Sequence, residues 1–255
     1  TAALAAAGIA PRSVPPLARW AAWPAALDEA APDLVVSAHF PWKVPAALLA
    51  RLPGRVVNLH PTLLPHYRGP SGHSALLADG AGPWAAGVTL HLMDEEFDSG
   101  AILARRSVPF RPGADAVDWE IETARAYAAL LDEALLPYLA GRLTPRPQES
   151  GSGSYASITG AALNLDGSVP LERARRIVEI FGQWRSIILR APAGTWRVRP
   201  PLTPLGPATG APPRVRLLRL EVDLADARVR LPRALSGHGR RLRRRRRRRL
   251  AAALP

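Results

Sequence analysis

Three side chains stand out as a set that could move an acyl group: an amide, an imidazole and a carboxylate at Asn58, His60 and Asp98. Asn58 and His60 are two residues apart at the end of the β-branched run RVVNL. In a strand, residues two apart project from the same face. At the carboxyl end of a strand in an open α/β sheet, that face opens on the crevice where ligands bind. Asp98 stands in the polar segment DEEFDSG, a turn closed by Gly100. The chain has no cysteine, so it has no thiol nucleophile, disulfide or thiolate metal site. Its histidines, His39, His60, His66, His73, His91 and His238, show no HExxH-type spacing, so no metal is expected. An amide, an imidazole and a carboxylate without thiol or metal point to acyl transfer with no covalent enzyme intermediate. Taken singly, the residues have plainer readings. Asn58 could cap a strand end, His60 could be a loop histidine, and Asp98 could stabilise its own turn. His91 reads as a support of the site or a solvent-facing strand residue, and His66 and His73 read as surface or loop residues.

These residues need a frame. Asp33–Ala38 (DLVVSA) and Arg55–Leu59 are short apolar runs of the kind found in strands buried on both faces of a sheet. Val44–Arg51 between them is helical. Gly87–Met93 alternates like a strand, and Ala101–Val108 is its expected neighbour. From Asp115 to Leu139 the positions Val117, Ile121, Ala124, Ala128, Leu131, Leu135 and Tyr138 recur every three or four residues, which predicts one long amphipathic helix. The expected fold class is therefore α/β: an open, mostly parallel sheet flanked by helices, with a small strand-rich region after it.

Composition divides the chain further. The stretch TPRPQESGSGS, residues 144–154, is polar and rich in Pro, Gly and Ser, the signature of a linker. We expect a catalytic domain at 1–143, the linker at 144–154, a small carboxyl-terminal domain at 155–235 and an arginine-rich tail at 236–255. In that small domain we expect a helix near 171–181 and strands at 196–199, 215–222 and 227–231. The net charge of +13 is unevenly placed, because nine of the 34 basic residues are arginines between 240 and 249. Without them 25 basic residues face 21 acids, a body near +4. The tail has no apolar pattern and is expected to be disordered. No run of 18 apolar residues suggests a membrane span. The opening TAALAAAGIAPR carries no basic lead, and we read it as the interior of a truncated product rather than a signal peptide.

With these residues in view, the segment NLHPTLLPHYRG (58–69) resembles the N-x-H-P-[S/T]-L-L-P-x-Y-R-G signature of folate-dependent formyltransferases. GVTLHLMDEEFDSG (87–100) resembles their second signature, in the same order. The resemblance covers residues 25 to 147 well, and it implies a Rossmann-like formyltransferase fold lacking its opening strand. It also implies that Asn58, His60 and Asp98 are catalytic and that 10-formyltetrahydrofolate is the formyl donor. Asn58 and a protonated His60 would donate to the carbonyl oxygen as charge grows there, while Asp98 holds His60 and helps move a proton. The resemblance places the folate between the segment HFPWKV (39–44), where Phe40 and Trp42 would flank it, and the Asp98 loop at Asp94 and Glu95. Tyr67 and Arg68 are expected to shape their loop.

The family resemblance leaves the acceptor amine to be chosen. The enzyme type that formylates methionyl-tRNA comes first, because a linker and second region follow residue 143. Its Ile-Asp-Trp motif is replaced here by LNLDGS (163–168). The alternatives are an amino-sugar nucleotide N-formyltransferase, the glycinamide ribonucleotide enzyme, and an inactive or nucleic-acid-binding remnant. For a tRNA acceptor, Arg173, Arg175, Arg176, Arg185, Arg197 and Arg199 are the expected phosphate contacts. Absence of cysteine fits a reducing cytoplasm.

Overall fold

The computed structural model describes residues 8, 29–40, 43–80, 84–111, 114, 116–149, 151–156, 163–182, 187–234, 248–249 and 252. Of residues 1–31, those described include a helical pair at Glu29 and Ala30.

Strand β1 (Val35–Ala38) runs parallel to β2 (Val56–His60), with Val35 opposite Val56 and Ala38 opposite Leu59. The crossover between them carries helix α1 (Ala46–Arg51), as a parallel return requires. Strand β3 (Gly87–Leu92) is antiparallel to β2, and β4 (Ile102–Ser107) is antiparallel to β3. The order is β1-β2-β3-β4. Where a mostly parallel sheet is expected, the described strands form a mixed one. Residues 93–101 are too short for the crossover of about a dozen residues that a parallel neighbour needs, so β4 must reverse. Every residue of β2 is buried. By contrast β1 alternates between half-buried and exposed, where its β-branched run predicts cover on both faces.

After β2, a loop leads into helix α2 (Gly72–Asp79), which ends at Gly80 in the left-handed conformation. The long amphipathic helix is present as α3 (Ala116–Leu130), a π-helical turn at Leu131–Leu135, and α4 (Leu136–Leu139). The wider turn shifts the register of the buried stripe, and Leu136 beyond it is 59% exposed. Trp119 anchors α3, since its ring is buried and its Nε1–H donates to the Val108 carbonyl at 2.8 Å.

Beyond residue 156, helix α5 (Leu171–Arg176) passes into a π turn, Ile177–Phe181. A hairpin follows, β5 (Ile187–Ala191) with β6 (Gly194–Val198). A second sheet has the order β7-β10-β9-β8, from β7 (Thr203–Pro207), β8 (Arg214–Val215), β9 (Arg219–Asp223) and β10 (Ala227–Pro232). The single strand expected over 215–222 is split by a turn at Leu217 and Leu218, both exposed. Strands β5 and β7 are additional. Strand β7 lacks apolar alternation because it is an exposed edge, where its prolines cost no ladder hydrogen bond.

One continuous hydrophobic core runs from Val57 in β2 to Leu231 in β10. Helix α5 packs against α2, and Arg176 Nε donates to the Ala78 carbonyl at 3.2 Å, covering the end of α2. Arg173 pairs with Asp79, and Arg175 lies 3.8 Å from Glu172. Arg173 and Arg176 are therefore engaged within the chain, whereas Arg175 Nε makes no hydrogen bond. Arg185 lies outside the described residues, whereas Arg197 and Arg199 are exposed on β6 and just beyond it. Of the tail, Arg249 donates to Asp118 in the first turn of α3. Arginines 240–247 lie outside the described residues. Among the described residues no helix is long and apolar enough to cross a membrane.

Since the core is continuous, the two regions should unfold together. Ile177 is fully buried in the π turn beside α2, and Ile177→Ala should cost about 2–5 kcal/mol. Calorimetry should show one shifted transition. Two separate transitions, with the earlier region unmoved, would contradict a shared core.

Candidate active site

Strand β2 carries two polar side chains into the interior, Asn58 and His60, which are 6% and 4% exposed. Buried polar groups must find partners or pay their desolvation, and these find them in β3 and the loop beyond it. The β2–β3 register sets Asn58 directly opposite His91. Asn58 Nδ2 lies 3.1 Å from His91 Nε2 and donates to Asp98 Oδ1 at 3.2 Å. His91 Nδ1 donates to the Leu92 carbonyl at 2.7 Å. Its Nε2 can then receive the Asn58 N–H in the neutral ring, or donate to Asp98 Oδ1, 3.5 Å away, in the charged one.

His60 is held at both ring nitrogens. Nε2 lies 2.9 Å from the Tyr67 carbonyl and Nδ1 lies 3.4 Å from Asp98 Oδ1. A carbonyl only accepts, so Nε2 carries a proton. Nδ1 faces the Asp98 carboxylate, which can accept from a proton carried on that nitrogen. The Tyr67 carbonyl reaches His60 because Gly72 leaves room for it. A Cβ on Gly72 would stand 2.1 Å from that oxygen and 3.1 Å from His60 Nε2.

Asp98 collects the whole set. Besides Asn58, His60 and His91 at Oδ1, its Oδ2 accepts the Gly69 backbone N–H at 2.7 Å. Burial works against ionisation of this carboxyl, but the hydrogen bonds and charge of His60 and His91 outweigh it and hold the group well below the usual carboxylate range. Asp98 itself sits at φ 54°, the left-handed region that costs a non-glycine residue free energy and persists where its surroundings enforce it.

The cluster floors a cleft of about 290 Å³, whose lining includes Phe40, Asn58, His60, Phe97, Asp98 and Glu120. His39 meets the Tyr127 ring edge-on at 5.8 Å, joining the Phe40 segment to α3. At the rim Lys43 pairs with Glu96 at 2.9 Å and lies 5.8 Å from the centre of the Phe97 ring.

Of the residues singled out from sequence, Asn58, His60 and Asp98 converge and Phe40 lines the same cleft. Trp42 lies outside the described residues. Asp94 and Glu95 are exposed, and neither lines the cleft. Asp94 Oδ1 accepts from Ser99 Oγ at 2.7 Å and from the Glu96 N–H at 3.2 Å, the contacts of a turn stabiliser. Sequence reasoning undervalued His91, which is 1% exposed. The signal was available in the pairing of NLH with TLH, which sets the two polar positions face to face. It also passed over Glu120, Phe97 and His73. His73 lines the cleft and stacks on Trp119 at 4.8 Å, so it is no mere surface residue.

An open α/β sheet with an amide, an imidazole and a carboxylate gathered at the end of its buried strand, beneath a cleft, places this chain among proteins of the formyl-transfer fold. Comparison with known proteins narrows this. Residues 15–135 match the family model described as formyl transferase. The methionyl-tRNA formyltransferase of Roseiflexus sp. (strain RS-1) is 35% identical over 165 residues, 63% of this chain and 50% of that one. That of Levilactobacillus brevis is 36% identical over 129 residues, 50% of this chain and 40% of the relative. A sugar N-formyltransferase from Shewanella sp. superposes with a TM-score of 0.54 at 26% identity, covering 66% of this chain and 69% of that one. HypX from Aquifex aeolicus in complex with tetrahydrofolic acid has a TM-score of 0.60 at 20% identity over 81% of this chain and 36% of the other, a likeness of fold alone. The match over residues 15–135 and relatives at 35% and 32% identity support the folate-dependent formyltransferase family for this chain. The chain spans about half the length of the curated relatives it matches.

The linkage of Asp98 to folding has a definite sign. Its native pKa is lowered relative to the unfolded chain. The stability it contributes is therefore full above the ordinary aspartate value and is lost as pH falls below about 4 toward the native value. Asp98→Asn should lower stability near pH 7 by roughly 1.5–3 kcal/mol, the range for hydrogen bonds to a charged group. Denaturant titrations should show that gap constant above about pH 5 and shrinking below about pH 4. A gap that widens in acid would reverse the sign argued here.

Proposed function

We propose that this protein transfers a formyl group from 10-formyltetrahydrofolate to a primary amine, with Asn58, His60 and Asp98 at the reacting centre. The observation that carries this reading is the pairing of a buried donor set with a buried acceptor in one cleft. Asn58 Nδ2 and His60 line the cleft with N–H groups held by Asp98, His91 and the Tyr67 carbonyl, while Asn58 Oδ1 is buried without a partner in the protein. A buried amide oxygen of this kind calls for an N–H, and an incoming amine brings one.

The chemistry then follows the charges. The amine nitrogen bonds to the formyl carbon, and the electron pair of the carbonyl moves onto its oxygen. Donors at His60 and Asn58 stabilise that oxygen by exchanging a protein partner (the Tyr67 carbonyl, Asp98 or His91) for it, each worth about 10²- to 10³-fold in rate. When the tetrahedral centre collapses, the bond from carbon to the folate nitrogen breaks. A proton lost by the amine is passed on to that nitrogen, and Asp98 holds His60 aimed throughout. The site itself exposes no thiol or lysine to take the formyl group covalently. Phe40 at the wall offers a flat apolar surface to the folate, and Trp42 is proposed beside it. Asp94 and Glu95 would act by shaping the loop, through the turn that Asp94 closes.

For the acceptor we favour methionyl-tRNA, because curated relatives at 35% and 36% identity carry it in their names and the chain continues past the formyltransferase region. An amino-sugar nucleotide is the second reading, favoured by the likeness to the Shewanella sugar enzyme. With Arg173 and Arg176 engaged internally, Arg175, Arg197 and Arg199, with Arg190 on the strand paired to β6, are candidates for phosphate contact. Absence of cysteine suits a cytoplasmic setting.

The decisive experiment offers the full-length gene product 10-formyltetrahydrofolate together with methionyl-tRNA or an amino-sugar nucleotide. Formyl transfer to the tRNA should fall about 10²-fold or more in His60→Ala with the fold intact by circular dichroism. Wild-type turnover in His60→Ala would refute the assigned centre. Turnover of the sugar nucleotide alone would transfer the choice to the second acceptor.

A further inference from the structure

We propose that Gln148 is a positioning residue, which aims the Asp98 carboxylate by clamping together the two loops that form the centre. The proposal rests on the catalytic reading above. Gln148 belongs to the segment 144–154, whose composition is that of a free tether. The structure instead lays this segment along the formyltransferase region. Arg146 exchanges both backbone hydrogen bonds with Ile102, each 2.8 Å, extending the sheet beyond β4. Further on, Ser154 accepts the Tyr67 N–H at its Oγ (2.9 Å) and the Arg68 N–H at its carbonyl (2.8 Å), and Ala156 N donates to the Arg68 carbonyl at 2.7 Å.

Between these two attachments Gln148 spends its entire amide on the site loops. Its Nε2 donates to the carbonyls of Asp98 (2.9 Å) and Gly100 (2.8 Å). Its Oε1 accepts from Arg68 Nε (3.2 Å) and Arg68 Nη2 (2.7 Å). One side chain thus ties the loop after β2 to the loop between β3 and β4. The same two loops meet again at the Gly69 N–H on Asp98 Oδ2. The clamp closes around a residue that needs it, because Asp98 occupies a left-handed conformation that relaxes when its neighbours release it. Relaxation there swings the carboxylate, and a displacement of about 1 Å at a reacting centre can cost about 10²-fold in rate. Gln148 touches none of the catalytic side chains themselves, and it acts through the backbone that carries one of them.

Two substitutions in the full-length protein separate aiming from mere attachment. Gln148→Ala removes every contact. Gln148→Glu keeps the oxygen that binds Arg68 but has no N–H for the carbonyls of Asp98 and Gly100. Both should lower kcat about 10- to 100-fold while KM for the folate donor stays within about threefold. A residue that only fastens the segment would instead be rescued by Glu, through its pair with Arg68. Wild-type kcat in Gln148→Glu would therefore overturn the proposal.

A readout without turnover accompanies this, namely titration of the Asp98 carboxyl by ¹³C NMR. In Gln148→Ala the carboxyl, no longer held against His60, should titrate nearer the ordinary value of about 3.9, whereas the intact protein keeps it ionised well below that. An unchanged titration would also overturn the clamp. His60→Ala, run in parallel, tells the two failures apart. If it abolishes turnover and the Gln148 variants do not, only the clamp fails. If it leaves turnover intact the catalytic reading fails, and the carboxyl titration alone judges the clamp.

Discussion

One carboxylate organises this molecule's cleft. Asp98 receives an amide N–H from Asn58, faces the imidazoles of His60 and His91 and accepts a backbone N–H from Gly69. Removing water from a carboxylate is expensive, so the negative charge can exist there only while all four groups converge on it. The buried strand, the loop after it and the β3–β4 loop are thereby made mutually dependent.

That dependence explains local choices that otherwise look arbitrary. Strand β2 is buried at every position, yet it carries Asn and His at its end because β3 and the following loop supply their partners. Gly72 is small so that the Tyr67 carbonyl can reach His60. Gly69 lies at φ 98°, which a side chain would strain, and its N–H is aimed at Asp98. The left-handed backbone at Asp98 is a conformation that an isolated loop would not favour. Here it is enforced by contacts on both sides, and the cost buys a fixed carboxylate.

Much of this was legible in the sequence, for identifiable reasons. The β-branched runs before residue 60 and the alternation at 87–93 reported their strands because burial on a sheet leaves a period of two or none. Asn58 and His60 declared a common direction by their spacing, and Asp98 was joined to them by the two signatures. What escaped lies where long-range geometry decides. The mixed direction of the sheet depends on loop spans. The exposed edge strand β7 has no apolar period to report. The π turns leave no mark beyond a slightly broken stripe. His91 looked optional because its worth comes from the register across to Asn58. Gln148 was hidden by its company, for Pro, Ser and Gly around it spell a tether, while the hydrogen bonds it makes are to residues about fifty and eighty positions away.

The attachment of residues 146–156 across the formyltransferase region also bears on how such proteins can be rearranged over time. Proteins diversify by exchanging modules, and exchange succeeds where few contacts cross the cut. The change in composition near residue 144 looks like such a seam. A cut there would strand the carbonyls of Asp98 and Gly100, the Arg68 guanidinium and the Tyr67 N–H, all of which find their partners after it. The strip as far as the Ala156–Arg68 hydrogen bond therefore belongs with the earlier half. A lineage that swapped its carboxyl-terminal module for a new acceptor would have to carry this strip of chain along as an inherited part of the older half.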